Sequence, residues 1–84
     1  MQRTVKTKNM KILAFGIVAE KTGAKEFACE DIPDSDSLYL WLRNTYPELR
    51  KIKFSIAINR KLAQVNTKID DGSEVALLPP FSGG

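Results

Sequence analysis

No histidine occurs among the 84 residues, and there is one cysteine. The first absence excludes a Ser-His-Asp triad, a Cys-His pair and any histidine-ligated metal within the chain. A lone thiol excludes an internal disulfide and a cysteine-based zinc site. Long apolar runs are also missing. The longest, Ile12 to Ala19, falls far short of the ~20 residues that span a bilayer. Met1 to Asn9 is polar and lacks the apolar centre of a secretory signal. The sequence therefore reads as a reduced, cytoplasmic protein away from membranes. Any chemistry it takes part in must draw on something other than the usual side-chain catalysts.

Positive charge is unevenly spread. Arg3, Lys6, Lys8 and Lys11 fall in the first eleven residues with no acid among them. The remainder is close to balanced, so the formal charge of +3 belongs to the leader. Residues 1–9 read as a solvated basic leader, or as extra residues before an internal start at Met10. A basic arm could touch nucleic acid. No stripe of interleaved aromatic and basic residues supports such binding elsewhere, and no nucleic-acid partner is expected.

The length allows one domain. Lys11 to Ala19 reads as a buried strand, apolar on both faces and interrupted by Gly16. Glu20 to Gly23 reads as a turn. Lys25 to Glu30 alternates as a second strand, with Phe27 and Cys29 on one face. Asp31 to Ser37 is rich in helix-starting residues. Leu38, Trp41, Leu42 and Thr45 then share one helical face, and Pro47 ends the helix at Tyr46. Glu48 to Lys53 reads as a polar connection holding Leu49 and Ile52. Phe54 to Ile58 is a third strand, followed by a tight turn at Asn59-Arg60-Lys61 and a short strand from Leu62 to Val65. Asp70-Asp71-Gly72 marks a turn. Glu74 to Leu78 is a last apolar strand, ended by Pro79-Pro80.

This order predicts an α+β fold with a mixed sheet packed on one main helix, and the first and last strands parallel at its centre. The expected core is Leu13, Phe15, Phe27, Leu38, Trp41, Leu42, Ile56, Ile58, Val75 and Leu77. Cys29 reads as a buried structural thiol. Trp41 and Leu42 read as core, and Asp70 and Asp71 as turn residues. Arg60 and Lys61 face either an acidic partner or solvent. The domain body is set at 10–78 and an extended tail at 79–84.

The tail holds the unusual chemistry. Pro79-Pro80 favours a stiff extended backbone. Gly83 and Gly84 have no side chain and can enter a narrow channel. Phe81 to Gly84 reaches roughly 14 Å when extended. It ends in an α-carboxylate that can itself be the reactive group. A Gly-Gly pair can also be a frayed or cut end.

Asp71 to Gly84, with its Asp-Gly turn, apolar strand, Pro79-Pro80, Phe81, Ser82 and Gly83-Gly84, resembles the end of the small, sulfur-carrying subunit of molybdopterin synthase. Lys11 to Gly16 followed by Thr22-Gly23 is similar to that family's opening. Leu38, Leu42, Tyr46-Pro47-Glu48-Leu49 and Ile58-Asn59 fall in matching order. Ser73 stands where an acid is common, and residues 1–9 have no counterpart. The resemblance implies the ubiquitin-like β-grasp fold. It further implies that Gly84 is adenylated and converted to a thiocarboxylate. Gly83, Ser82, Phe81, Pro80 and Pro79 would serve tail passage and partner contact. The implied partners are the large subunit of molybdopterin synthase, an adenylating enzyme of the ubiquitin-activating type and a sulfur donor. No cofactor is implied on the chain itself, since ATP is used by the activating enzyme. A carrier for thiamine synthesis or tRNA thiolation, and a non-catalytic β-grasp interaction domain, are the alternatives. Deleting Met1 to Asn9 should leave both thermal stability and sulfur transfer unchanged. A large loss of either would make the leader part of the first strand or of a binding surface.

Overall fold

The computed structural model describes residues 10–29, 32–70 and 72–80. Strand β1 spans Met10–Ala14, helix α1 Gly16–Thr22, β2 Glu26–Cys29 and the main helix α2 Ser35–Thr45. A 3-10 helix follows at Pro47–Lys51, then β3 Ser55–Ile58, β4 Lys61–Leu62 and β5 Val75–Leu78. The five strands form one mixed sheet in the order β2-β1-β5-β3-β4. The central pair β1 and β5 is parallel, and every other pairing is antiparallel. This is the β-grasp arrangement, and the placement of β1 beside β5 is as the sequence predicts.

Local chemistry explains α2. The Asp34 carboxylate accepts from the Ser37 backbone N–H at 2.9 Å, satisfying one of the otherwise open donors of the first turn. The Ser37 hydrogen bonds hold the Asp34 carboxyl below its ordinary value, side chain first and backbone second. Such a depressed group lends stability above the ordinary carboxylate range, and that stability fades as pH falls through its lowered value. Asn66 Oδ1 accepts from the Asp36 N–H at 2.9 Å. The buried Ser35 gives its N–H to Thr67 O and accepts from the Thr67 N–H on Oγ, both at 2.8 Å. The first turn is thereby tied to the connection between β4 and β5. Leu38 and Leu42, one turn apart, are fully buried. At the other end Tyr46 packs near Phe27 and Trp41, with ring centroids 5.4 and 6.2 Å away.

Several expectations need correction. The short strand is Lys61–Leu62 rather than Leu62 to Val65, because a two-residue turn at Asn59-Arg60 already returns the chain at Lys61. Ile17 to Thr22 is helical, because Gly16 adopts φ +57° and ends the strand. Val18 turns into the core while Phe15 and Ile17 turn out, 46% and 37% exposed. Phe15 is therefore not a core residue. Leu13 is half-buried on the other side of the sheet, since β1 points Met10, Ile12 and Ala14 inward. Phe27 and Trp41 are only half-buried. The connection after α2 is not merely polar: its 3-10 turn drops Leu49 fully into the core. Glu20 to Thr22 belongs to α1, which Gly23 closes at φ +84°. Cys29 is buried as expected.

Asn59 and Arg60 both have positive φ, +52° and +71°. They form the two-residue turn that matches the twist of a hairpin, with Ile58 opposite Lys61. Asn59 is suited to this and is clipped to Glu74 by two backbone-linked bonds of 2.8 and 3.0 Å. Arg60 is not suited, since its Cβ is strained there by ~1–2 kcal/mol. Its exposed contact with Glu74, at 3.5 Å, offsets only ~0–1 kcal/mol. We expect Arg60→Gly to raise stability by up to about 1 kcal/mol in urea unfolding. A net loss would show that the Arg60–Glu74 pair outweighs the strain.

Candidate functional site at the exit of the last strand

Strand β5 is held on both sides over its length. It pairs with β1 from Ile12↔Val75 to Ala14↔Leu77, and with β3 from Ile58↔Val75 to Ser55↔Leu78. The Phe15 N–H donates to Leu77 O at 3.2 Å, beyond the end of β1. Val75 and Leu77 are fully buried. The chain is thus fixed up to Leu78. Pro79 has no N–H to continue the ladder, so pairing stops there. Pro79 is half-buried and Pro80 exposed. Phe81, Ser82, Gly83 and Gly84 lie outside the described residues.

The surroundings of this exit are apolar. The corner between β1 and α1 presents Phe15 and Ile17. Beside it is a shallow depression of about 810 Å³ lined by Phe15, Gly16, Ala19, Glu20, Gly23 and Lys25, among others. The face of the sheet turned away from α2 carries a second apolar feature. Register aligns Leu13 with Ala76, Ala76 with Ala57, and Ala57 with Leu62. Partners in register share a face, so these four side chains form a row across the sheet. Leu62 at its end is 49% exposed. Leu78, two residues after Ala76, lies on the same face next to the exit.

Neither feature was read from the sequence. The row depends on which strands are neighbours and in what register. The one available signal was the second apolar face of each short strand. Arg60 lies elsewhere. It sits in the turn that meets the beginning of β5, at the opposite end of that strand from Pro79, and pairs with Glu74. This supports its reading as a turn residue. Asp70 pairs with Lys68 at 3.7 Å and its carbonyl accepts from the Ser73 N–H, a turn role. Asp71 lies outside the described residues. Among the described residues no group of three or more His, Cys, Asp or Glu side chains could hold a metal ion. What the body offers is a last strand paired on both sides, with apolar surface around the point where it leaves the sheet.

The fold defines a ubiquitin-like β-grasp domain whose last strand leaves the sheet at Pro79. The sequence profile of the ThiS family matches residues 12–84, and the chain belongs to that family. It is 33% identical over 78 residues to the molybdopterin synthase sulfur carrier subunit of Mycobacterium tuberculosis, covering 87% of this chain and 94% of that protein. The small archaeal modifier protein 1 of Methanosarcina acetivorans superposes with a TM-score of 0.72 at 23% identity, covering 95% of this chain and all of that one. A Pyrococcus furiosus protein described as subunit 1 of a molybdopterin converting factor gives a TM-score of 0.76 at 16% identity, over 87% and 98% of the two chains. These two likenesses establish the fold.

Proposed function

We propose that the chain is a sulfur carrier for molybdenum cofactor synthesis and that the Gly84 carboxylate is its working group. The observation that carries this reading is the 33% identity to a molybdopterin synthase sulfur carrier subunit along nearly its full length. The Pro-Pro-Phe-Ser-Gly-Gly end supplies the reactive group. A carboxylate is a poor electrophile. Its oxygen attacks the α-phosphate of ATP on an activating enzyme, pyrophosphate leaves, and an acyl-adenylate results. The outer sulfur of a donor persulfide then attacks the acyl carbon and AMP leaves, giving an acyl disulfide; a second thiol attacks the donor's sulfur, forms a disulfide with it and releases the thiocarboxylate. On the large subunit of molybdopterin synthase that sulfur attacks a cyclic pyranopterin monophosphate, water cleaves the resulting thioester and returns Gly84 to a carboxylate, and two such transfers build the dithiolene. Two small and two large subunits form the working assembly, in the cytoplasm. Among the described residues no helix is long and apolar enough to cross a membrane.

The Phe15 corner and the half-buried or exposed members of the row, Leu13, Ala76 and Leu62, are the surfaces on which partners seat, while Ala57 between them is buried by its neighbours. Gly83 and Gly84 give passage through a narrow partner channel, Ser82 and Phe81 contact its wall, and Pro79-Pro80 set the approach. Intact mass tests the chemistry. After incubation with ATP, an activating enzyme and a persulfide donor, the chain should gain about 16 Da, one oxygen replaced by one sulfur. An unchanged mass with an activating enzyme proven competent on another carrier would make this a plain interaction domain. Co-purification with a large molybdopterin synthase subunit separates this carrier from one serving thiamine synthesis or tRNA thiolation.

A further inference from the structure

We infer that Gly16 is a positioning residue for the tail: its missing side chain is the seat on which the Pro79 ring rests, and that seat sets the direction in which the chain leaves the sheet at Pro80. The inference rests on the carrier reading above and adds a residue far from the tail in sequence.

A Cβ built on Gly16 would lie 3.2 Å from Pro79 Cγ, 3.4 Å from Pro79 Cβ and 4.0 Å from Pro79 Cδ. The neighbour is a closed ring, not the end of a flexible chain, so it cannot step aside by changing a rotamer. The contact falls just beyond the last fixed points of β5. Leu77 O is held by the Phe15 N–H, one residue before Gly16, and Leu78 is held opposite Ser55. Pro79 follows directly. Its own φ is locked by the ring, and both Leu78 and Pro79 precede a proline, which confines them to extended backbone. Few soft torsions therefore separate the sheet from Pro80. The ring's resting place on Gly16 selects among them. Phe81 to Gly84 can span at most roughly 14 Å, so the direction taken at Pro80 limits where the Gly84 carboxylate can be presented. Misplacement of a reacting atom by ~1 Å can cost ~100-fold in rate.

Gly16 also has φ +57°, so any L-residue there strains the backbone as well as touching Pro79. Gly72 separates the two effects. It has φ +77° with nothing within 4 Å of a built Cβ. Gly16→Ala and Gly72→Ala should lower the melting temperature to a similar degree. Only Gly16→Ala should lose transfer. We expect its kcat/KM for sulfur loading by the activating enzyme to fall about tenfold or more, with Gly72→Ala at the parental value. Pro79→Ala leaves the Gly16 backbone alone and removes the ring. It should lose kcat/KM with an unchanged melting temperature, and adding Gly16→Ala to it should cost little more. Proton NMR gives a readout that needs no activity. The parent and Gly72→Ala should show contacts between the Gly16 α-protons and the Pro79 ring, and Gly16→Ala should lose them.

Loading by Gly16→Ala at the Gly72→Ala rate would overturn the inference, as would strictly additive losses in the double variant. Absence of the NMR contact in the parent would overturn it too. Should Gly16→Ala not fold, an undiminished kcat/KM for Pro79→Ala would overturn it. If the parent itself takes up no sulfur, the carrier reading fails, and the NMR contact alone then decides whether Gly16 seats Pro79.

Discussion

A chain lengthened by one residue after Gly84 is expected to fold like the parent and to take up no sulfur. The stability half of this expectation follows from the burial pattern. The core is assembled from Met10 to Leu77 and ends before Pro79. The ladder of β5 ends at Leu78, and the proline that follows cannot extend it. The core cluster and strand pairings of the described residues end at Leu78, so a residue added beyond Gly84 removes none of them. The chemical half follows from what adenylation needs. The acyl group must carry an ionised oxygen, and peptide-bonding Gly84 to another residue removes that oxygen. A new carboxylate would stand one residue further on, attached to a carbon that bears a side chain.

Gly83 offers the complementary test. Replacing it with valine keeps the carboxylate but adds bulk and restricts the backbone at the point of passage. The melting temperature should again match the parent, while dithiolene formation with the large subunit should fail. If the lengthened chain, proven uncleaved by mass, still supported dithiolene synthesis, the carboxylate of Gly84 would not be the carrier group.

The parts of the molecule that were legible in the sequence are those whose causes are local. Asp34 and Ser35 announce the start of α2 because capping needs only residues within one turn. Leu38 and Leu42 announce its buried side because they lie four apart on one face. Pro79-Pro80 announces the end of β5 because neither can donate to a ladder. Phe15 was misread because β1 points Met10, Ile12 and Ala14 inward, so alternation turns Leu13 and the still-extended Phe15 the other way, and an apolar run gives no sign of which set points inward. Leu49 was missed because five residues of 3-10 helix are too few to show a period. The apolar row and the seat of Pro79 were out of reach for a different reason. The seat of Pro79 is made by residues from opposite ends of the chain, brought together by the parallel pairing of β1 with β5, and the row needs the pairings of β3 with β5 and β4 as well. No local pattern encodes that register.

Leu42→Ala is expected to cost ~2–5 kcal/mol, and Leu40→Ala close to nothing. The two leucines sit two residues apart on α2, one fully buried and the other 60% exposed. Alanine is the best helix former, so neither change weakens the helix through propensity. Both remove the same atoms. The difference between them therefore isolates burial. Leu42 lies in the cluster formed with Leu38, Leu49 and the inward residues of the sheet, where its removal opens a cavity as well as losing transfer energy. It also precedes the close of the helix, where the Tyr46 N–H donates to its carbonyl at 2.8 Å, a backbone bond that alanine keeps. Domains of this size hold only ~4–13 kcal/mol in total, so the loss is a large share. Urea unfolding of the two variants should move the midpoint strongly for Leu42→Ala and hardly at all for Leu40→Ala, with the slope unchanged. Equal losses would mean that α2 packs on the sheet through a different face from the one that buries Leu38 and Leu42.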